Sequence, residues 1–288
     1  MILVTGATGT VGREVVRRLP DGVRARLMSR GRVTGPLRPA HETVTADYGD
    51  AGSVARALVG VRTVFLVTSR VGGDDDARFL RAAREAGVKH VVKLSAAAVL
   101  DPLADDLITR WQRANEESLR ACGMEWTLLR PRAFMSNALS WAASIRSERV
   151  VRALYGASAN ACVDPRDIAE VAVRTLTEDG HASRAHTLTG PAAVTPAEQT
   201  EQLGQALEIP LRFEEMSLEA ARTALRARHP EPVAEALLAG ALRQRDGAKA
   251  EVLDTVRSLT GAPARSFRQW AQDHRAAFAQ ASAGAVAR

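Results

Sequence analysis

Gly6, Gly9 and Gly12 recur every third residue in Gly6-Ala7-Thr8-Gly9-Thr10-Val11-Gly12. The run lies between an apolar stretch, Ile2–Thr5, and a segment whose Val11, Val15, Val16 and Leu19 share one helical face. A strand, a glycine turn and a helix in direct succession open a βαβ unit. In such a unit the first glycine makes the turn, the second lets backbone approach a pyrophosphate, and the third lets helix and strand pack closely. The phosphates would rest on the N-terminus of the Thr10–Leu19 helix, where unpaired N–H groups favour an anion. A lone glycine motif is weak, but strand before and helix after are the context it needs. The loop candidates for cofactor binding are Gly6, Thr8, Gly9, Thr10, Val11 and Gly12.

The alternation continues through the first half. Val23–Met28, Glu42–Ala46, Thr63–Thr68, Val88–Ser95 and Trp126–Arg130 are predicted strands, and helices are predicted around Val54–Leu58, over Asp74–Ala86 and over Asp105–Ala121. Thr63–Thr68 is apolar throughout, as in a strand buried on both faces. The spacing predicts an α/β fold: a Rossmann-type doubly wound parallel sheet, with ligands at the carboxyl ends of the strands. The second half is more helical. Helices are expected from Pro165 to about Leu176, after the Thr195-Pro196-Ala197-Glu198 capping box, and near 218–228, 233–245, 249–259 and 267–279, with a strand at Leu211–Met216. The expected division is a dinucleotide-binding domain over 1–150 and, over 151–288, a smaller helix-rich C-terminal substrate lobe with some segments returning to the sheet. Ser217–Arg245 is either a lid or a fixed hairpin.

An NAD site usually carries an acid after the second strand, to bind the ribose 2′-hydroxyl. Here that strand ends Leu27-Met28-Ser29-Arg30, with no acid. Ser29 and Arg30 suit a 2′-phosphate, so NADP(H) is the expected cofactor. Asp47 and Tyr48 follow the third strand, where an adenine is commonly flanked. Val67, Thr68 and Ser69 end the fourth and would line the ribose and pyrophosphate.

The formal charge of +6 raises the question of nucleic acid. Only three of the 39 basic residues are lysine, and the arginines are spread among acids rather than gathered in a stripe, so no nucleic-acid partner is expected. No apolar run approaches a membrane span, and the start lacks a signal-like segment, so the expectation is a cytoplasmic protein. Cys122 and Cys162 form no CxxC pair, and the histidines show no metal-ligand spacing, so no metal is expected. Nothing in the sequence requires an oligomer, and a monomer is expected.

Short-chain reductases usually protonate a carbonyl with a Tyr whose pKa is lowered by a Lys four residues on. The two tyrosines here, Tyr48 and Tyr155, are followed at that distance by Gly52 and Ala159. A missing general acid typically costs about 10²–10⁴ in rate. Two outcomes follow. Either hydride goes to an activated acceptor, such as a quinone, an enone or a tautomerising polyketone, or the protein only senses the nucleotide. Ser95, at the end of the fifth strand, is both a catalytic and a cofactor-side candidate.

Over nearly its full length the chain resembles the NmrA-like branch of the atypical short-chain dehydrogenase/reductases. The likeness rests on GATGTVG, Arg30, Ala46-Asp47, Leu94-Ser95-Ala96-Ala97, the run Trp126–Asn137, Val163–Ala169 and Leu188-Thr189-Gly190-Pro191. The resemblance implies a Rossmann domain, a substrate lobe and usually NADP(H). Its members include quinone reductases, ketoreductases of aromatic polyketide (angucyclinone-type) antibiotic pathways, and redox sensors without turnover. It implies that Arg130–Asn137 borders the substrate, which makes Phe134, Met135 and Asn137 substrate candidates. Trp141, seven residues after Phe134, would extend an aromatic wall, although Phe134 and Met135 could equally be core. Many relatives place His or Lys where this chain has Gln112, four residues before Glu116. Gln112 can position a carbonyl but cannot move a proton. The expected activity is NADPH-dependent hydride transfer to a bulky polycyclic aromatic ketone or quinone, with an NADP(H)-sensing protein as the alternative.

Overall fold

The computed structural model describes residues 1–33 and 38–279. The last residues of the expected lobe, 280–288, lie outside the described residues. In chain order the elements are β1 (Ile2–Val4), α1 (Gly12–Arg18), β2 (Ala25–Ser29), β3 (His41–Thr45), α2 (Ala51–Leu58), β4 (Thr63–Leu66), α3 (Asp75–Glu85) and β5 (His90–Leu94). They continue with α4 (Leu107–Arg120), β6 (Glu125–Pro131), α5 (Ala142–Glu148), β7 (Val150–Ala153), α6 (Pro165–Thr177), β8 (Arg184–Leu188) and α7 (Pro196–Leu207). The last are β9 (Arg212–Glu215), α8 (Leu218–Arg226), α9 (Glu231–Arg245), α10 (Thr255–Thr260) and α11 (Phe267–Asp273). A 3₁₀ segment, Met135–Trp141, precedes α5.

The chain forms two compact units. The first comprises Met1–Arg132, Pro165–Thr189 and Leu253–Pro263. Its seven-stranded sheet has the order β3-β2-β1-β4-β5-β6-β8, and every pairing is parallel. The strand order reverses between β1 and β4, the switch point at which such sheets bind ligands. β1 and β4 are apolar and almost wholly buried, because helices cover both of their faces. One core gathers Leu3, Val64, Leu66 and Val91 from the strands with Ala57, Leu58, Phe79, Leu80 and Leu119 from α2, α3 and α4. α6 packs against α1 and α10.

The second unit comprises Ala133–Asp164, Gly190–Val252 and, within the described residues, 264–279. Its core surrounds Trp270, which is fully buried. Phe267 and Phe278 lie 5.4 and 6.2 Å from the Trp270 ring, and Met135, Ala138, Ile145 and Leu203 pack into the same cluster. β7 and β9 pair in parallel. The predicted capping box opens α7: Thr195 Oγ1 accepts from the Glu198 N–H at 3.1 Å, and Glu198 Oε2 accepts from the Thr195 N–H at 2.8 Å. Such a cap is worth about 1 kcal/mol.

Three sequence expectations need correction. The first continuous stretch of the first unit runs to Arg132 rather than 150, because Met135, Ala138 and Ile145 bury their side chains in the core around Trp270. The helix expected over 249–259 is confined to Thr255–Thr260. Thr189 Oγ1 accepts from the Leu253 N–H at 3.0 Å, which holds the preceding segment out of a helix. β8 was not expected at all.

Candidate active site

The first unit has a cavity of about 760 Å³ at the switch point, lined by the glycine loop, Ser29, Arg30, Asp47, Tyr48, Val67 and Ser69. Local geometry explains the loop. Gly6 adopts φ +59°, which side-chain-bearing residues rarely do. A Cβ on Gly12 would stand 2.1 Å from the Gly6 carbonyl oxygen, so α1 can start this close to the loop only with glycine there. The Gly9 N–H is turned inward, donating to Gly6 O at 2.8 Å. No side chain caps α1, and Thr10, Val11 and Gly12 line the cavity. The start of the helix therefore faces a space that suits a pyrophosphate.

Thr5 and Tyr48 fix the walls. Thr5 Oγ1 donates to Phe65 O at 3.0 Å and accepts from the Val67 N–H at 2.8 Å, which ties the ends of β1 and β4 together. Tyr48 donates its phenol to Val67 O at 2.7 Å and packs edge-on against Phe79. Burial pushes the Tyr48 phenol well above its usual pKa, so it stays neutral. Asp47 Oδ1 accepts from the Gly49 N–H at 2.7 Å. At the ribose end, Arg30 and Arg32 are exposed, line the cavity and have no carboxylate partner among the described residues. No acid stands beside them at the end of β2.

Two predicted residues lie elsewhere. Thr68 does not line the cavity. Its hydroxyl donates to Asp76 Oδ1 at 2.6 Å and accepts from Lys93 Nζ at 2.8 Å. Lys93 and Asp76 are each 1% exposed and 2.8 Å apart. Burial lowers the Lys93 pKa, and Asp76 opposes that shift. Ser95 is 5% exposed and also outside the cavity, whose lining includes its neighbour Leu94. The Ser95 hydroxyl donates to Glu116 Oε1 at 2.6 Å, and Arg130 grips the same carboxylate at 2.9 and 2.5 Å. Burial would raise the Glu116 pKa, but the hydrogen bonds from Arg130 and Ser95 outweigh it and hold the carboxyl below its ordinary range. Gln112 presents a buried Oε1 with no donor among the described residues.

Several cavity residues carried no sequence flag. Arg32 was legible only as a second arginine near Arg30. Arg70 and Asp75 also line the cavity and pair with each other, through a loop and a helix start whose convergence spacing does not reveal.

The second unit has its own cavity, of about 580 Å³. Phe134, Met135, Asn137 and Trp141 all line it, so the four predicted substrate residues converge. Their arrangement differs from the expectation. Phe134 precedes a 3₁₀ segment rather than an α-helix, so its spacing to Trp141 does not define a shared helical face. Met135 is 2% exposed, so it serves both cavity and core. Cys162 lines the cavity too, and burial pushes its thiol up to about 12, so it is inert.

A doubly wound sheet with a glycine cradle at its switch point and arginines at the ribose end defines a dinucleotide-binding protein of Rossmann type. The NAD(P)H-binding family model matches residues 6–179, and the chain belongs to that family. The chain is 56% identical over 280 residues to a (4-alkanoyl-5-oxo-2,5-dihydrofuran-3-yl)methyl phosphate reductase of Streptomyces griseus, covering 97% of this chain and 99% of that protein. It is 36% identical over 290 residues to an NAD(P)H azoreductase of Xenophilus azovorans, covering 98% and 100%. Its fold matches that of the NADPH-dependent quinone oxidoreductase of Escherichia coli, crystallised with NADPH, with a TM-score of 0.81 at 24% identity over 95% of this chain and 99% of that one. The chain is an NAD(P)H-dependent oxidoreductase. No helix among the described residues is long and apolar enough to cross a membrane.

Proposed function

We propose that the protein is an NADPH-dependent reductase of conjugated, electron-poor acceptors, and that an acylated furanone bearing a phosphomethyl arm represents its substrate class. The observation that carries this reading is the 56% identity, over 97% of the chain, to a reductase of such a compound. The 2′-phosphate of NADPH would be held by Arg30 and Arg32, with Ser29 beside them, through charge-assisted hydrogen bonds. NADH offers these residues nothing to grip.

Bound NADPH supplies a hydride. The chain's own part is positioning, which fits the absence of a Tyr-x-x-x-Lys pair. In an acylated 2,5-dihydrofuran-5-one, the ring double bond is polarised by two carbonyls. Hydride adds to the ring carbon that bears the phosphomethyl arm. The electron pair moves onto the carbonyl oxygens, and the resulting enolate is stabilised well enough to take its proton from water. Phe134, Met135 and Trp141 give the alkanoyl chain an apolar seat.

A second reading keeps a polycyclic aromatic ketone or quinone as acceptor, in an aromatic polyketide antibiotic pathway. It is favoured by Phe134 and Trp141, two aromatic rings on one cavity. Anaerobic NADPH oxidation with purified protein separates the two. The first reading expects rapid turnover of the furanone phosphate and slow turnover of the polycyclic compounds; the reverse order would favour the second.

A further inference from the structure

The cavity of the second unit leaves one positive charge unmatched. Two arginines line it, Arg152 and Arg228, and no carboxylate does among the described residues. Arg152 is neutralised by Glu214 at 2.9 Å and Glu148 at 2.6 Å. Two arginines of α8 are matched as well. Arg222 pairs with Glu235 at 3.0 Å, and Arg226 pairs with Glu231 at 2.5 Å and Glu235 at 3.0 Å. Arg228, just beyond the end of α8, has no ion pair among the described residues. Its backbone N–H donates to Leu225 O at 3.0 Å, which continues the helical turn and fixes its place on the cavity. An exposed guanidinium with no ion pair, on a cavity whose other arginine is already held by two carboxylates, fits an anionic ligand.

The rest of the lining describes that ligand further. Phe134, Met135, Trp141, Leu154, Met216 and Leu225 form an apolar wall. Elsewhere on the lining, Gln244 Nε2 donates to Ser158 O at 3.0 Å, and Gln244 Oε1 accepts from Asn160 Nδ2 at 3.0 Å. The Ser158 carbonyl can only accept, so it fixes the direction of both amides. Asn160, 6% exposed, is left with a buried Oδ1 that has no donor among the described residues. A buried unpaired acceptor is costly, and a hydroxyl on a ligand or a water would relieve it.

We propose that Arg228 is the anion anchor of this cavity, and that the cavity takes an amphiphile with one apolar arm and one phosphate monoester. The guanidinium presents a planar pair of donors that matches phosphate oxygens, and a monoester in its singly charged form carries a P–OH that can serve an acceptor such as Asn160 Oδ1. The choice of phosphate over other anions rests on the functional reading above. The anchor itself rests on the charge pattern.

The test uses octyl phosphate, sodium octanoate and 1-octanol, titrated calorimetrically into full-length protein saturated with NADP⁺. Wild type should bind octyl phosphate on the order of tenfold more tightly than octanol, with octanoate between them. Arg228→Gln should abolish that preference and leave octanol binding unchanged. Arg228→Lys should restore part of it. Arg17→Gln, which alters an arginine 72% exposed on α1, should change nothing. Arg228 is exposed and has no ion-pair partner to strand, so its replacement does not threaten folding. Octyl phosphate bound equally by wild type and Arg228→Gln, or no tighter than octanol by wild type, would overturn the anchor. Octanoate bound as tightly as octyl phosphate would overturn the phosphate assignment. Turnover of the furanone phosphate is read separately. No reduction, with binding still dependent on Arg228, would sink the functional reading and leave the anchor standing.

Discussion

The hydroxyl of Ser95 donates to Glu116 Oε1 at 2.6 Å, inside a carboxylate site that Arg130 already grips with two nitrogens. This serine, just beyond β5, adds a hydrogen bond to the ion pair between Arg130 of β6 and Glu116 of α4. Ser95→Ala should therefore cost about 1.5–3 kcal/mol of stability, the worth of one hydrogen bond to a charged group. Its turnover should stay within about threefold of wild type, because no proton passes through it. A drop of about 10²-fold or more, the scale of a lost acid or base, would make it catalytic.

The same carboxylate sets an acid limit on the fold. The Glu116 pKa in the folded protein lies below that in the unfolded chain, so the unfolded chain binds the proton first. The stabilisation is present above the ordinary carboxylate range and is lost as pH falls through the lower folded value. Urea midpoints from about pH 6 down to about pH 3 should show a downward slope that is shallower in Glu116→Gln. Equal slopes would remove Glu116 from the account.

Lys93 and Asp76 face each other at 2.8 Å with almost no exposure. Lys93→Met strands a buried carboxylate and should cost about 3–5 kcal/mol, read from chemical denaturation. Adding Asp76→Leu should recover much of the loss, since an apolar pair of similar volume is often tolerated at such sites. A double variant less stable than Lys93→Met would mean that the pair does more than neutralise itself. Thr68, which bonds both groups, is the first place to look for that extra role.

Arg30 and Arg32 line the first cavity beyond the end of β2, without carboxylate partners among the described residues. Arg30→Ala should weaken NADPH on the order of tenfold, and the double replacement by more, while NADH binding changes little. Equal losses for both nucleotides, measured by fluorescence titration, would contradict a 2′-phosphate site.

Much of the sheet was legible, because strands buried on both faces must be largely apolar and β4 reads as such. β8 was missed: Arg-Ala-His-Thr-Leu sits at a sheet edge with two of its five residues exposed and only Leu188 buried, so nothing forces an apolar run. The glycine loop and the ends of β2 and β3 were readable because a βαβ unit of this type places the strand ends that follow the loop beside it. Thr68, Lys93 and Ser95 were not. They look like polar strand-end residues suited to a ligand, and only the fold shows them turned toward Asp76 and Glu116. The second cavity was half legible. Phe134 through Trp141 lie together in sequence, whereas Asn160, Arg228 and Gln244 meet only after folding. Their roles depend on which partners the neighbouring arginines take.

The most direct test is anaerobic reduction of an alkanoyl furanone phosphate with NADPH carrying deuterium at the nicotinamide C4 position. The account predicts stoichiometric NADPH oxidation and a product with one deuterium, on the ring carbon that bears the phosphomethyl arm. The second hydrogen should come from solvent. Tight NADPH binding without turnover of this or any other conjugated acceptor would contradict it.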